Sequence, residues 1–142
     1  PAGTTCSAST IVTRPAMADI AAIALVNKEA AAAAALLIQE LRNDPVELED
    51  LCVPGNRYTY KPAFECKHFA EAQRLGYNIY ILKFRNLDDT QPGYRILIGY
   101  HAQKSNYYVL QVPDRNFAYN TSSPSFRELC NRYEDCGIPL YR

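Results

Sequence analysis

The chain changes its periodicity from helical to strand-like at Gly76, and that change restricts it to folds in which helices come before a sheet. Upstream, residues 16–42 carry Ile20, Ile23, Ala24, Ala31, Ala34, Leu37, Ile38 and Leu41 at helical spacing in an alanine-rich background. Downstream, residues 77–84 (YNIYILKF), 94–102 (YRILIGYHA) and 107–112 (YYVLQV) are short runs rich in aromatic and β-branched side chains, which suit a pleated sheet. Residues 103–106 are short enough to close a hairpin, so at least three antiparallel strands are expected. Helices followed by strands make an α+β domain in which N-terminal helices pack on a small antiparallel sheet.

Start and stop residues divide the helical half. Thr13 and Pro15 begin one long helix over 16–42. Asp44, Pro45 and Glu47 begin a second, short one, which the turn cluster Val53, Pro54, Gly55 and Asn56 ends. Pro62 in a first turn and Gly76 as a left-handed terminator predict a third helix over the stretch 60–76 (YKPAFECKHFAEAQRLG). Ser123, Pro124 and Ser125 open a C-terminal helix running to about Asn131. The expected organisation is a single domain over 1–142, with an arm (1–14), a helical part (15–53) and a core of helix, strands and C-terminal helix (60–131).

With 15 basic and 15 acidic residues in 142, the chain has no net charge and no Lys/Arg cluster, which argues against a nucleic-acid or anionic-membrane partner. No signal-peptide pattern is evident, and the longest apolar run, residues 30–38, is too short to span a bilayer, so a soluble protein is expected. Neither a Gly-rich phosphate loop nor a nucleophile elbow is present, no residue set has metal-ligand spacing, and no cofactor is implied. Asn120, Thr121 and Ser122 form a glycosylation triplet of a kind that arises often by chance.

Five cysteines leave one over from any complete pairing. Cys130 can bridge to Cys136 around a short loop and Cys6 to Cys52, which leaves Cys66 free and points to an oxidising compartment, hence a secreted or exported protein. In the first turn of the predicted helix, Cys66 would sit at the positive end of the helix dipole, which favours the nucleophilic thiolate. Its spacing from Phe69 and Ala70 also fits a small core residue. Of the two histidines, His68 is about 200° from Cys66 around a helix and faces away, whereas His101, near a strand end, can project toward a helix N-terminus.

A cysteine at a helix start, a strand, a histidine in a Gly-Tyr-His-Ala context (Gly99 to Ala102) and a Tyr-Tyr-Val-Leu strand leading to Asp114 resemble the core of transglutaminase-like and papain-like cysteine hydrolases. The resemblance covers roughly residues 60–116 and is one of residue types and order, with no long identical string. It implies Cys66 as nucleophile, His101 as base and Asp114 as the residue that orients the imidazole. If Ser105 and Asn106 form the hairpin tip, Leu110 lies opposite His101 and Asp114 is about 13 Å further along, so a bulge near Gly99 or Pro113 is needed. Gln111 and Asn116 are alternative orienters, and the oxyanion donor is not identified. Such a site requires the Cys66 sulfur within about 4 Å of a ring nitrogen of His101.

The implied activity is that of a cysteine-dependent amide hydrolase or acyl transferase: a deamidase or peptidase acting on a protein or peptide, or a cell-wall amidase. The resemblance extends to the effector and toxin domains that bacteria export, for which a cognate inhibitor protein is usual. Two other classes compete with it. Eleven tyrosines and no tryptophan could form an aromatic face for a protein or glycan, making the chain a non-enzymatic binding module. A metal-free ribonuclease using His101 with a lysine or arginine is the third, against which the neutral charge counts.

Overall fold

The computed structural model describes residues 9–43, 64–84, 94–113 and 120–141, with residues 64–66 and 84 described in their backbone only. The predicted short helix after Asp44, together with Cys6, Cys52, Asp114 and Asn116, lies outside the described residues.

Strand β1 (Ser9–Val12) leads directly into helix α1 (Arg14–Ala24). Thr13 starts the helix as its sequence suggests: its Oγ1 accepts the Ala16 N–H at 3.2 Å, with Pro15 in the first turn. The same hydroxyl donates to the Val109 carbonyl at 2.8 Å, fixing the helix start to the sheet. The single helix expected over 16–42 is in fact two, because α2 (Lys28–Asn43) begins anew after a break at Leu25, Val26 and Asn27. Asn27 supplies the cause, since its Oδ1 accepts the Ala30 N–H at 3.1 Å and caps a second helix.

The predicted helix around Cys66 is replaced by strand β2 (Phe64–His68) and a short helix α3 (Ala70–Arg74). Only its end follows the sequence signal: Gly76 has φ 98, the left-handed conformation expected of a glycine terminator. Strands β3 (Ile79–Phe84), β4 (Arg95–His101) and β5 (Asn106–Gln111) occupy the three expected runs. Helix α4 (Pro124–Asp135) starts at Ser123, whose side chain accepts the Phe126 N–H.

The strands form one sheet in the order β1-β5-β4-β3-β2. Strands β2 to β5 pair antiparallel in sequence, while β1 adds to β5 in parallel, so the sheet is mixed where an antiparallel one was expected. The extra strand comes from the N-terminal arm. Four residues without alternation give no strand signal of their own, and β1 is specified by the pairing surface that β5 offers.

Helices α1 and α2 cover one face of the sheet, and α3 and α4 the other. The first core joins Ile23, Ala30, Ala34, Leu37, Ile38 and Leu41 to Leu82, Ile96, Ile98, Tyr107 and Val109. The second joins Phe69, Ala72, Phe126, Leu129 and Tyr133 to Ile79, Ile81, Leu97 and Leu110. Two covered faces explain why β3 and β4 read as nearly continuous apolar runs, since both alternating sets of side chains are buried. Gly99 permits this closeness. A Cβ there would lie 2.9 Å from Leu110 Cδ1, 3.0 Å from Ile138 Cδ1 and 3.2 Å from Tyr133 Cδ2.

Two substitutions test this packing. Gly99→Ala forces a methyl group into the second core and should destabilise the protein by about 1–3 kcal/mol in chemical denaturation. Leu41→Ala, at a fully buried position in the first core, should cost about 2–5 kcal/mol. Wild-type stability in either variant would contradict the packing described.

Candidate functional site

Cys66 lies in the backbone of β2, opposite Leu82 of β3, which in turn pairs with Ile96 of β4. It is therefore in a strand, without the helix N-terminus that was expected to favour its thiolate. His101 ends β4, five positions beyond Ile96. Five residues of strand rise and two inter-strand spacings put the two Cα atoms about 19 Å apart. The structure does not bring Cys66 and His101 together.

His101 is 4% exposed, and its Nδ1 has no hydrogen-bond partner. It pairs with Asn106, not with Leu110 as the hairpin reading predicted, because the turn occupies residues 102–105, with Ser105 at φ 54. The expected irregularity exists, but between Leu97 and Ile98, where the register passes from Val109 to Gln111. Gln111 thus sits opposite Leu97, four positions or about 13 Å along the strand from His101. It is buried with its Oε1 unpartnered, and the register does not place it as an orienter of His101.

Cys130 and Cys136 are both free thiols. Cys130 is within α4 and Cys136 caps it, so six residues of helix set their Cα atoms about 10 Å apart and 120° around the axis. A disulfide needs them within about 7 Å. Burial pushes both thiols above their ordinary range, so neither is an activated nucleophile. Cys130 neighbours the Tyr77 hydroxyl, which donates to Glu134 Oε2 at 2.8 Å; burial, and then that hydrogen bond, raise the Tyr77 pKa.

The tyrosines do not form an open aromatic face among the described residues. Tyr80, Tyr94, Tyr107 and Tyr133 are buried, Tyr77, Tyr100 and Tyr108 are half-buried, and Tyr141 is 38% exposed. Placing helices on both sides of the sheet turned the strand tyrosines into core. His68 has a role its sequence context did not suggest. The Ile79 carbonyl can only accept, so it takes the Gln73 Nε2 proton and turns Gln73 Oε1 toward His68 Nδ1 at 2.9 Å. Nδ1 then donates the proton that Gln73 Oε1 accepts.

The outward side of the helical layer is the larger anomaly. Met17, Ala18, Ala21, Ala22 and Leu25 share one face of α1, and every exposed residue between Arg14 and Lys28 is uncharged. Leu25 and Val26, at the break between the helices, are 87% and 82% exposed, and Leu36 on α2 is 70% exposed beside the exposed Ala32 and Ala35. The alanine stretch concealed this pattern, because alanine is equally at home inside and outside a fold. No helix among the described residues is long and apolar enough to cross a membrane, and these residues contain no group of three or more His, Cys, Asp or Glu able to hold a metal ion.

The helical geometry predicts that alkylation in denaturant without reductant labels Cys130 and Cys136 as free thiols. A cross-linked peptide joining them in mass spectrometry would overturn it. In the native protein their labelling should be slow at neutral pH and accelerate as the pH rises, since a raised pKa lowers the thiolate fraction. Comparison with protein-family models, curated proteins and solved structures finds no match to this chain.

Proposed function

We propose that this domain is a non-enzymatic protein-binding module that docks a partner on the outer face of α1, the turn that follows it and the side of α2 that carries Leu36. The observation that carries the reading is the uncharged, largely apolar surface formed by Met17, Leu25, Val26 and Leu36. A solvent-facing helix side is normally lined with charged and polar residues, and large apolar side chains exposed in their place mark a contact surface. The partner is a protein offering an apolar surface, since Met17, Leu25, Val26 and Leu36 carry no charge to pair. A photo-crosslinking residue at position 25 or 36 should capture a defined partner, whereas one at Arg127, exposed on the opposite layer, should not. Leu25→Asp with Val26→Asp should abolish the capture from position 36 without changing thermal stability. Equal capture from position 127, or capture unaffected by the aspartates, would overturn the reading.

A second reading, the cysteine hydrolase, is favoured by one observation. His101 is a buried imidazole with an unpartnered Nδ1, an uncommon state for a histidine without a task. The reading needs β2 to give up its pairing with β3 so that Cys66 can approach the end of β4. An exported deamidase, peptidase or toxin, with its protein substrate and cognate inhibitor, belongs to this second reading alone. Rapid alkylation of Cys66 at neutral pH, lost in His101→Ala, is its expected result; slow labelling that ignores His101 would sink it.

A further inference from the structure

Strand β2 ends the sheet, and among the described residues it pairs only with β3. We propose that β2 is a dimerisation edge, pairing antiparallel with β2 of a second copy of this chain about a twofold axis at Cys66 and joining the two sheets into one. The proposal stands on backbone direction and on the order of charges along the strand, and it does not depend on the apolar helical face.

The register fixes which backbone groups of β2 point outward. The Phe69 N–H donates to the Ile79 carbonyl at 3.0 Å, which continues the β2–β3 register by one position. Hydrogen-bonded and non-hydrogen-bonded pairs alternate in an antiparallel ladder, so Lys67 and Glu65 also turn their backbone groups toward β3. The other side of β3 agrees. The Tyr100 N–H donates to the Asn78 carbonyl at 3.0 Å, which assigns the even-numbered residues of β3 to β4 and leaves Ile81 and Lys83 to β2. Phe64, Cys66 and His68 therefore present their N–H and C=O groups to the outer edge, a template for a further strand.

The charges select which strand that is. A lysine on an edge ordinarily guards it against pairing, and Lys67 is exposed. Cys66 is the midpoint of β2, so a twofold axis there overlaps the whole strand and sets Cys66 opposite its own copy and Phe64 opposite His68. These are the positions whose backbone groups point outward, and each such pair can exchange two main-chain hydrogen bonds. The same register puts Glu65 opposite Lys67 on both sides of the axis. Those are the non-hydrogen-bonded positions, where Cα atoms lie about 4.5 Å apart and opposite charges across the strands attract. The guarding lysine thus meets a carboxylate in the one arrangement that also satisfies the main chain. Any extended segment could match the backbone, but Glu-Cys-Lys is complementary to itself when reversed, which favours a second copy.

The test is sedimentation of the whole protein through the micromolar range, where the wild type is expected to form a dimer. Glu65→Lys and Lys67→Glu each set like charges opposite one another twice, and each should weaken self-association about tenfold or more. A mixture of the two variants restores both opposite-charge pairs and should recover a heterodimer, as should the double variant with itself. Hydrogen exchange of the wild type reads the same edge without substitution: the Cys66 and His68 amides should slow as concentration rises, while that of Lys67, already bonded to β3, should not change. A monomer throughout the range overturns the proposal. So does a dimer that both single reversals leave intact, including one that Leu25→Asp with Val26→Asp dissociates, or a mixture that recovers no association.

Discussion

The Asp19 carboxylate gathers three parts of the molecule at one point. Its Oδ2 accepts the Val112 N–H at 3.0 Å, just past the end of β5, and the Arg132 guanidinium at 2.6 Å. Arg132 also donates to the Leu110 carbonyl and to Glu128, so α1 from one face of the sheet and α4 from the other are both fastened to the end of one strand. Burial alone would lower the arginine pKa, but the hydrogen bonds to Asp19 and Glu128 outweigh it and hold the group charged. Both side chains are largely buried, at 13% and 22% exposure. Loss of either would leave charged-group hydrogen bonds unmade, each of about 1.5–3 kcal/mol. The two apolar cores share only the sheet, and this clamp sets how the layers sit on it.

That arrangement explains which parts of the fold were legible in sequence. Thr13, Pro15, Ser123 and Gly76 act through their own backbone neighbourhoods, and the structure places each where local chemistry predicts. The three strands after Gly76 were visible because their β-branched and aromatic runs serve two cores. The break at Asn27 was hidden because the alanines on both sides continue the helical period without a gap. Strand β1 was hidden because it borrows its order from β5. At Cys66, Pro62 and Gly76 describe a helix, whereas residues 64–68 pair with β3 and only Ala70–Arg74 are helical. Tertiary pairing overrides local propensity there.

The candidate site was less legible than the fold for a related reason. The order Cys66, His101, Asp114 specifies sequence neighbours, but distance in a sheet depends on register. Pairing Asn106 with His101 sends Gln111 away along β5, and pairing Cys66 with Leu82 sends it to the opposite end of β4. A bulge was anticipated from Gly99, yet that glycine instead admits the side chains of Leu110, Ile138 and Tyr133. The tyrosines show the same principle. Counting them indicates aromatic surface, but whether it faces a ligand or a core depends on which layers cover the sheet.

What the layers leave uncovered then separates structure from recognition. Apolar residues inside the sandwich have a sufficient cause in folding, but Leu25, Val26 and Leu36 gain nothing from it at their exposures. Exposure of such side chains forgoes burial worth about 1.5–3 kcal/mol each, a stabilisation that a contact with another protein can recover. On the other side of the sheet Tyr77 packs against the second core and Tyr141 bonds back to Gly76. The apolar face shares no residue with that side, and the sheet with its two cores stands between them. Leu25, Val26 and Leu36 belong to neither core, so the packing that holds the fold supplies no reason for their exposure.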